Sequence, residues 1–129
     1  MSITCIVERD SIAIVEDEED LANLFKEALS YHGFKITSFT DSTAAFEQIS
    51  LHHLEYKLVL SDIRMPRING LELIRRISKR DGNIKFILMS AFDQPDLSPD
   101  LPGPTYEFIQ KPVGIEKLRE IVYRNATQN

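Results

Sequence analysis

Short apolar runs recur at residues 12–15, 34–39, 58–60, 86–89 and 106–109, with stretches of helical length between them. Their lengths and flanking turn residues predict five strands. Between the first two runs, Leu21, Leu24, Phe25, Ala28 and Leu29 follow the i, i+3, i+4, i+7, i+8 spacing of one apolar helix face, with Gly33 as a stop. A second helix follows Asp41 or Ser42 as cap and runs to about Leu51 on Ala45, Phe46 and Ile49. A third opens at Asn69 and Gly70, shows Leu71, Ile74 and Ile77 on one face, and stops before Asp81-Gly82-Asn83. A last helix spans about 114–124 on Ile115, Leu118, Ile121 and Val122. Strands alternating with helices imply parallel crossovers, and near-continuous apolar strands imply a sheet covered on both faces. The expected fold is doubly wound α/β, with ligands beyond the carboxyl ends of the strands.

The stretch 92–105 breaks the alternation, because Pro95, Pro99, Pro102 and Pro104 stand there with Gly103. An interior proline removes a donor and clashes with the preceding turn at about 3 kcal/mol, so a proline-rich loop is expected where the alternation calls for another helix. Residues 1–11 are read as an N-terminal extension, 12–126 as the folded domain and 127–129 as a short tail.

Composition narrows the function classes. The chain has 129 residues, 43% of them hydrophobic, which fits one domain with its own core. A net charge of −5 disfavours direct nucleic-acid or anionic-lipid binding, and no apolar run reaches the roughly 20 residues that cross a bilayer. Cys5 has no second cysteine to pair with, and no secretory signal pattern opens the chain, so a cytoplasmic protein is expected.

The candidate chemistry lies at the strand ends. Glu16 and Asp17 follow the first run, Asp62 the third, Ser90 the fourth and Lys111 the fifth. If strands one, three, four and five lie side by side, three carboxylates meet one ammonium and one hydroxyl. That donor set suits Mg²⁺, which binds one or two carboxylates together with waters and phosphate oxygens. A carboxylate nucleophile attacking phosphorus needs such positive charge nearby.

The acid pair Glu16-Asp17, the string Asp62-Ile63-Arg64-Met65-Pro66 with Gly70 four residues on, Ser90-Ala91 and Lys111-Pro112 resemble the receiver domain of two-component response regulators over about residues 11–126. The resemblance implies a flavodoxin-like, chemotaxis-receiver-like five-stranded sheet. It implies that Asp62 accepts a phosphoryl group from a phosphohistidine kinase or phosphotransfer protein, in a Mg²⁺-dependent reaction that switches a surface for a downstream protein. Glu16, Asp17, Asp62 and the Arg64 backbone carbonyl would hold the metal. Lys111 and Ser90 would serve the phosphoryl group, Ser90 and Phe108 would form the switch, and the Lys111-Pro112 bond would be cis. A monomer or weak dimer, acting as a signalling module rather than an enzyme, is expected, either as a single-domain regulator or as part of something larger.

Rival readings fare worse. Aspartyl phosphatases need a second acid where Arg64 stands, and the five glycines form neither a dinucleotide fingerprint nor a phosphate loop. The alternative kept is a degenerate receiver that binds proteins without phosphorylation. His32, His52 and His53 lack metal-like spacing and are read as surface residues.

Overall fold

The computed structural model describes residues 9–30, 33–92 and 104–127. In chain order the elements are β1 (Ser11–Val15), α1 (Glu19–Leu29), β2 (Lys35–Phe39), α2 (Ser42–Leu51), a 3-10 turn (His53–Glu55), β3 (Tyr56–Asp62), α3 (Gly70–Arg80), β4 (Lys85–Ser90), β5 (Glu107–Gln110) and α4 (Ile115–Thr127). The proline-rich stretch 93–103, on which the expected loop falls, lies outside the described residues, as do residues 1–8 and His32.

The five strands form one sheet in the order β2-β1-β3-β4-β5, every pair parallel. Because successive side chains leave a strand on opposite faces, each strand feeds two cores. Ile12, Ile14, Leu58, Leu60, Ile87 and Met89 meet Phe25 and Leu29 of α1 and Leu118 and Val122 of α4. Ala13, Val15, Val59, Phe86 and Leu88 meet Ala45 and Ile49 of α2 and Leu73, Ile74 and Ile77 of α3. Burial on both faces is why β1, β3 and β4 read as continuous apolar runs.

Side-chain caps mark the starts of α2 and α3. The Asp41 carboxylate accepts the Thr43 N–H at 3.0 Å and the Asn69 side chain accepts the Glu72 N–H at 2.9 Å, each satisfying an otherwise orphaned donor. Two periodicity readings need correction. Leu24 is 47% exposed, and Ala22 takes the buried place in α1, because the apolar stripe is wider than the sheet contact. In α3 Leu73 is fully buried while Leu71 is only partly so. At the chain ends, β1 begins at Ser11, inside the expected extension, and α4 continues to Thr127, beyond the expected stop near Arg124 and one residue into the expected tail.

A buried ion cluster closes the amino-terminal rim of the sheet. Asp81, its side chain 5% exposed, pairs with Arg9 Nη1 at 2.8 Å and His53 Nδ1 at 2.7 Å, and accepts the Asn83 N–H at 3.0 Å. Arg9 Nη1 also donates to the Tyr56 carbonyl at 3.2 Å, tying the segment before β1 to the start of β3. Burial alone raises the Asp81 pKa, but the bonds from His53, Arg9 and Asn83 outweigh it and hold the carboxyl below its ordinary value. His53 is therefore a partly buried member of this cluster and not a plain surface residue. His52 is exposed and pairs with Glu55.

Candidate functional site

The strand order brings the carboxyl ends of β1, β3, β4 and β5 side by side. Glu16 and Asp62 are buried, Asp17 beside them is exposed, and Ser90 is buried at the end of β4. Lys111, just past β5, donates its backbone N–H to the Ser90 carbonyl at 2.8 Å, and the Lys111-Pro112 bond is cis. Lys111 Nζ lies 2.6 Å from Glu16 Oε1 and 2.7 Å from Asp62 Oδ1, bridging the two buried acids. The other Glu16 oxygen accepts the Glu18 N–H at 3.2 Å.

Glycine 70 is required by this packing. A Cβ there would stand 2.1 Å from the Asp62 carbonyl oxygen and 2.9 Å from the Ile63 Cα, so the first turn of α3 closes directly against the backbone that presents Asp62. The loop between them is fastened by Ser42, whose hydroxyl donates to the Pro66 carbonyl at 3.1 Å and accepts the Ile68 N–H at 3.2 Å.

The electrostatics are unbalanced, with one ammonium facing three carboxylates. Burial, then the neighbouring Glu16, push Asp62 up to about 7 against the pull of Lys111. Burial also works to raise Glu16, but its bonds to Asp62, Lys111 and the Glu18 N–H hold it below the ordinary range. Asp17 is raised, first by desolvation and then by Glu16. Burial alone would lower Lys111, yet its two carboxylate bonds raise it and keep it charged.

One oxygen from each of Glu16, Asp17 and Asp62 lies within 4.8 Å of the others, a hard-oxygen donor set with excess negative charge. Those features fit a divalent cation such as Mg²⁺. Arg64, two residues past Asp62, is exposed. Phe108 is partly buried on β5, opposite Leu88.

Two contacts here had no sequence signal. The Phe92 N–H donates to Ser90 Oγ at 3.1 Å, and the Arg64 guanidinium stands over the Phe92 ring, 3.9 Å from its centroid.

Comparison with known proteins places this rim in context. The chain matches the response regulator receiver domain over residues 12–123 and belongs to that family. It is 31% identical over 108 residues to the response regulator receiver protein CpdR of Brucella abortus, covering 83% of this chain and 88% of CpdR. It is 33% identical over 124 residues to the transcriptional regulatory protein YkoG of Bacillus subtilis, covering 95% of this chain but only 54% of YkoG, so it spans about half of that relative's length. The receiver domain of the hybrid histidine kinase CckA superposes with a TM-score of 0.77 over 91% of this chain and 99% of that one, at 22% identity, and shares the fold. The protein is thus a receiver-type signalling module with a flavodoxin-like α/β fold. Among the described residues no helix is long and apolar enough to cross a membrane.

Proposed function

We propose that Asp62 is the phosphoacceptor of a two-component relay, taking its phosphoryl group from a phosphohistidine on a kinase or phosphotransfer protein. The observation that carries this reading is the buried Asp62 carboxylate at the end of β3, 2.7 Å from Lys111 Nζ and clustered with Glu16 and Asp17. In the transfer an Asp62 oxygen attacks phosphorus and the P–N bond breaks. Its electron pair returns to the imidazole nitrogen, which takes up a proton, and the product is an acyl phosphate. Lys111 sits where it can face the incoming phosphoryl oxygens, and the Ser90 hydroxyl, buried on the next strand, supplies a further donor.

Glu16, Asp17, Asp62 and the Arg64 carbonyl would hold Mg²⁺. When bound, the ion supplies positive charge to the phosphoryl oxygens. Hydrolysis later returns the free carboxylate, so the module assists its own modification and reversal. Ser90 and Phe108 carry the change of state outward to a downstream protein in the cytoplasm. The receiver unit acts as a monomer or weak dimer.

The test is intact and peptide mass measurement after incubation with a small-molecule phosphoryl donor and Mg²⁺. The wild type should gain one phosphoryl group at Asp62, and Asp62→Asn none. No gain in the wild type would favour a phosphorylation-independent binding module. Modification of another residue in Asp62→Asn would overturn the assignment of the acceptor.

A further inference from the structure

The stack of Arg64 on Phe92 has no place in the transfer chemistry above, yet it joins the segments that follow Asp62 and Ser90. Arg64 is two residues past Asp62 on the β3–α3 loop, and Phe92 is two residues past Ser90 at the end of β4. Both are exposed, Phe92 at 56%, and the Phe92 N–H is bonded to Ser90 Oγ.

The other arginines near acids are already matched. Arg67 pairs with Asp41, Arg75 and Arg76 with Glu72, Arg9 with Asp81 and Arg124 with Glu107. Among the described residues no carboxylate lies within salt-bridge distance of Arg64, although Glu16, Asp17 and Asp62 cluster at the strand ends beside its loop. Its guanidinium rests on an aromatic face, a weak contact at an exposed site.

We infer that Arg64 is a phosphoryl-binding residue held in reserve: it stacks on Phe92 while Asp62 is bare, and leaves the ring for the phosphoryl oxygens when Asp62 carries them. The inference rests on Asp62 being the acceptor. A phosphoryl group adds anionic oxygens within the neighbourhood of Arg64, and a guanidinium bonds such oxygens with charge-assisted, often bidentate, geometry. That is stronger than an exposed cation–π contact, so the exchange runs toward the phosphoryl group. Phe92 moves as well, because Ser90 Oγ, which now accepts its N–H, is the hydroxyl proposed to turn to the same oxygens.

The experiment places 4-fluorophenylalanine at position 92 of the full chain and follows its fluorine resonance on adding beryllofluoride, a phosphoryl mimic, with Mg²⁺. Bound beryllofluoride gives a separate fluorine signal. The Phe92 resonance should shift on binding in the wild type. In Arg64→Ala, an exposed substitution, the free-state resonance should already be displaced, and beryllofluoride affinity should fall about tenfold, the size expected for one charge-assisted contact. Arg64→Lys should recover part of that affinity. An unmoved Phe92 resonance with beryllofluoride bound, or undiminished affinity in Arg64→Ala, overturns the inference and leaves Asp62 as acceptor intact. No bound beryllofluoride signal in the wild type overturns the acceptor assignment and the inference together.

Discussion

Each end of the sheet buries acids beside bases, but the two clusters are balanced differently. At the amino-terminal rim one carboxylate, Asp81, is met by Arg9, by His53 and by the Asn83 N–H. At the carboxyl-terminal rim Glu16 and Asp62 share the ammonium of Lys111, with the third carboxylate, Asp17, clustered beside them. The consequences for protonation are opposite: Asp81 is held below its ordinary value, whereas Asp62 is driven up to about 7. A compensated cluster has nothing further to bind and serves the fold. An uncompensated one stores repulsion that a bound cation would relieve, which is how strained titrating groups mark functional sites.

The largest effect should come from breaking the balanced rim. Asp81→Ala leaves Arg9 and His53 facing each other without their acceptor, and losing one partner of a buried ion pair is strongly destabilising. A loss of about 3 kcal/mol at neutral pH is expected. Urea denaturation would measure it. A loss no larger than that of an exposed pair would show that the Arg9–Asp81 contact is not part of what holds the rim closed.

The carboxyl-terminal rim should respond with the opposite sign. Asp62→Asn removes one of three crowded charges at nearly constant volume, so the metal-free protein should gain about 1 kcal/mol, roughly the worth of one relieved pKa unit. Mg²⁺ should raise the Tm of the wild type, since a ligand of the folded state stabilises it, and should raise that of Asp62→Asn much less. Thermal denaturation with chelator and then with Mg²⁺ checks both. A destabilised Asp62→Asn would mean that the bond to Lys111 outweighs the repulsion between the acids.

The two rims also differed in how legible they were. Strands buried on both faces announce themselves as apolar runs, and in a parallel sheet the residue after each run falls on one rim, so Glu16, Asp62, Ser90 and Lys111 could be expected together once the strands were seen. The strand order that makes them neighbours came from the family resemblance more than from any residue pattern. Asp81 looked like a turn residue, and it is one, accepting the Asn83 N–H. Its pairing with Arg9 spans 72 positions and that with His53 spans 28, and such long-range pairs leave no period to read. His53 looked like a surface residue for the same reason. Gly70 was visible as part of a motif, but only the packing shows its cause, the Asp62 carbonyl lying where its Cβ would be.

The smallest effect expected is the pH dependence of the Asp81 cluster, and its sign follows from linkage. A carboxyl held lower in the folded state than in the unfolded state contributes stability above its unfolded pKa, near the ordinary 3.8. That contribution fades as pH falls through the lower folded value. Asp81→Asn keeps the volume and one acceptor oxygen but forfeits the charge, so it should be less stable than its parent at pH 6. The difference should shrink steadily as the pH drops below about 4, where the unfolded chain already binds the proton. Asp62 titrates in the opposite sense in the metal-free protein, so the comparison is best made in an Asp62→Asn background with chelator present. Chemical denaturation at stepped pH values then isolates Asp81. A stability difference that stayed constant down to pH 3, or grew, would show that Arg9 and His53 hold Asp81 by geometry rather than by charge, and the contrast between the two rims would lose its electrostatic basis.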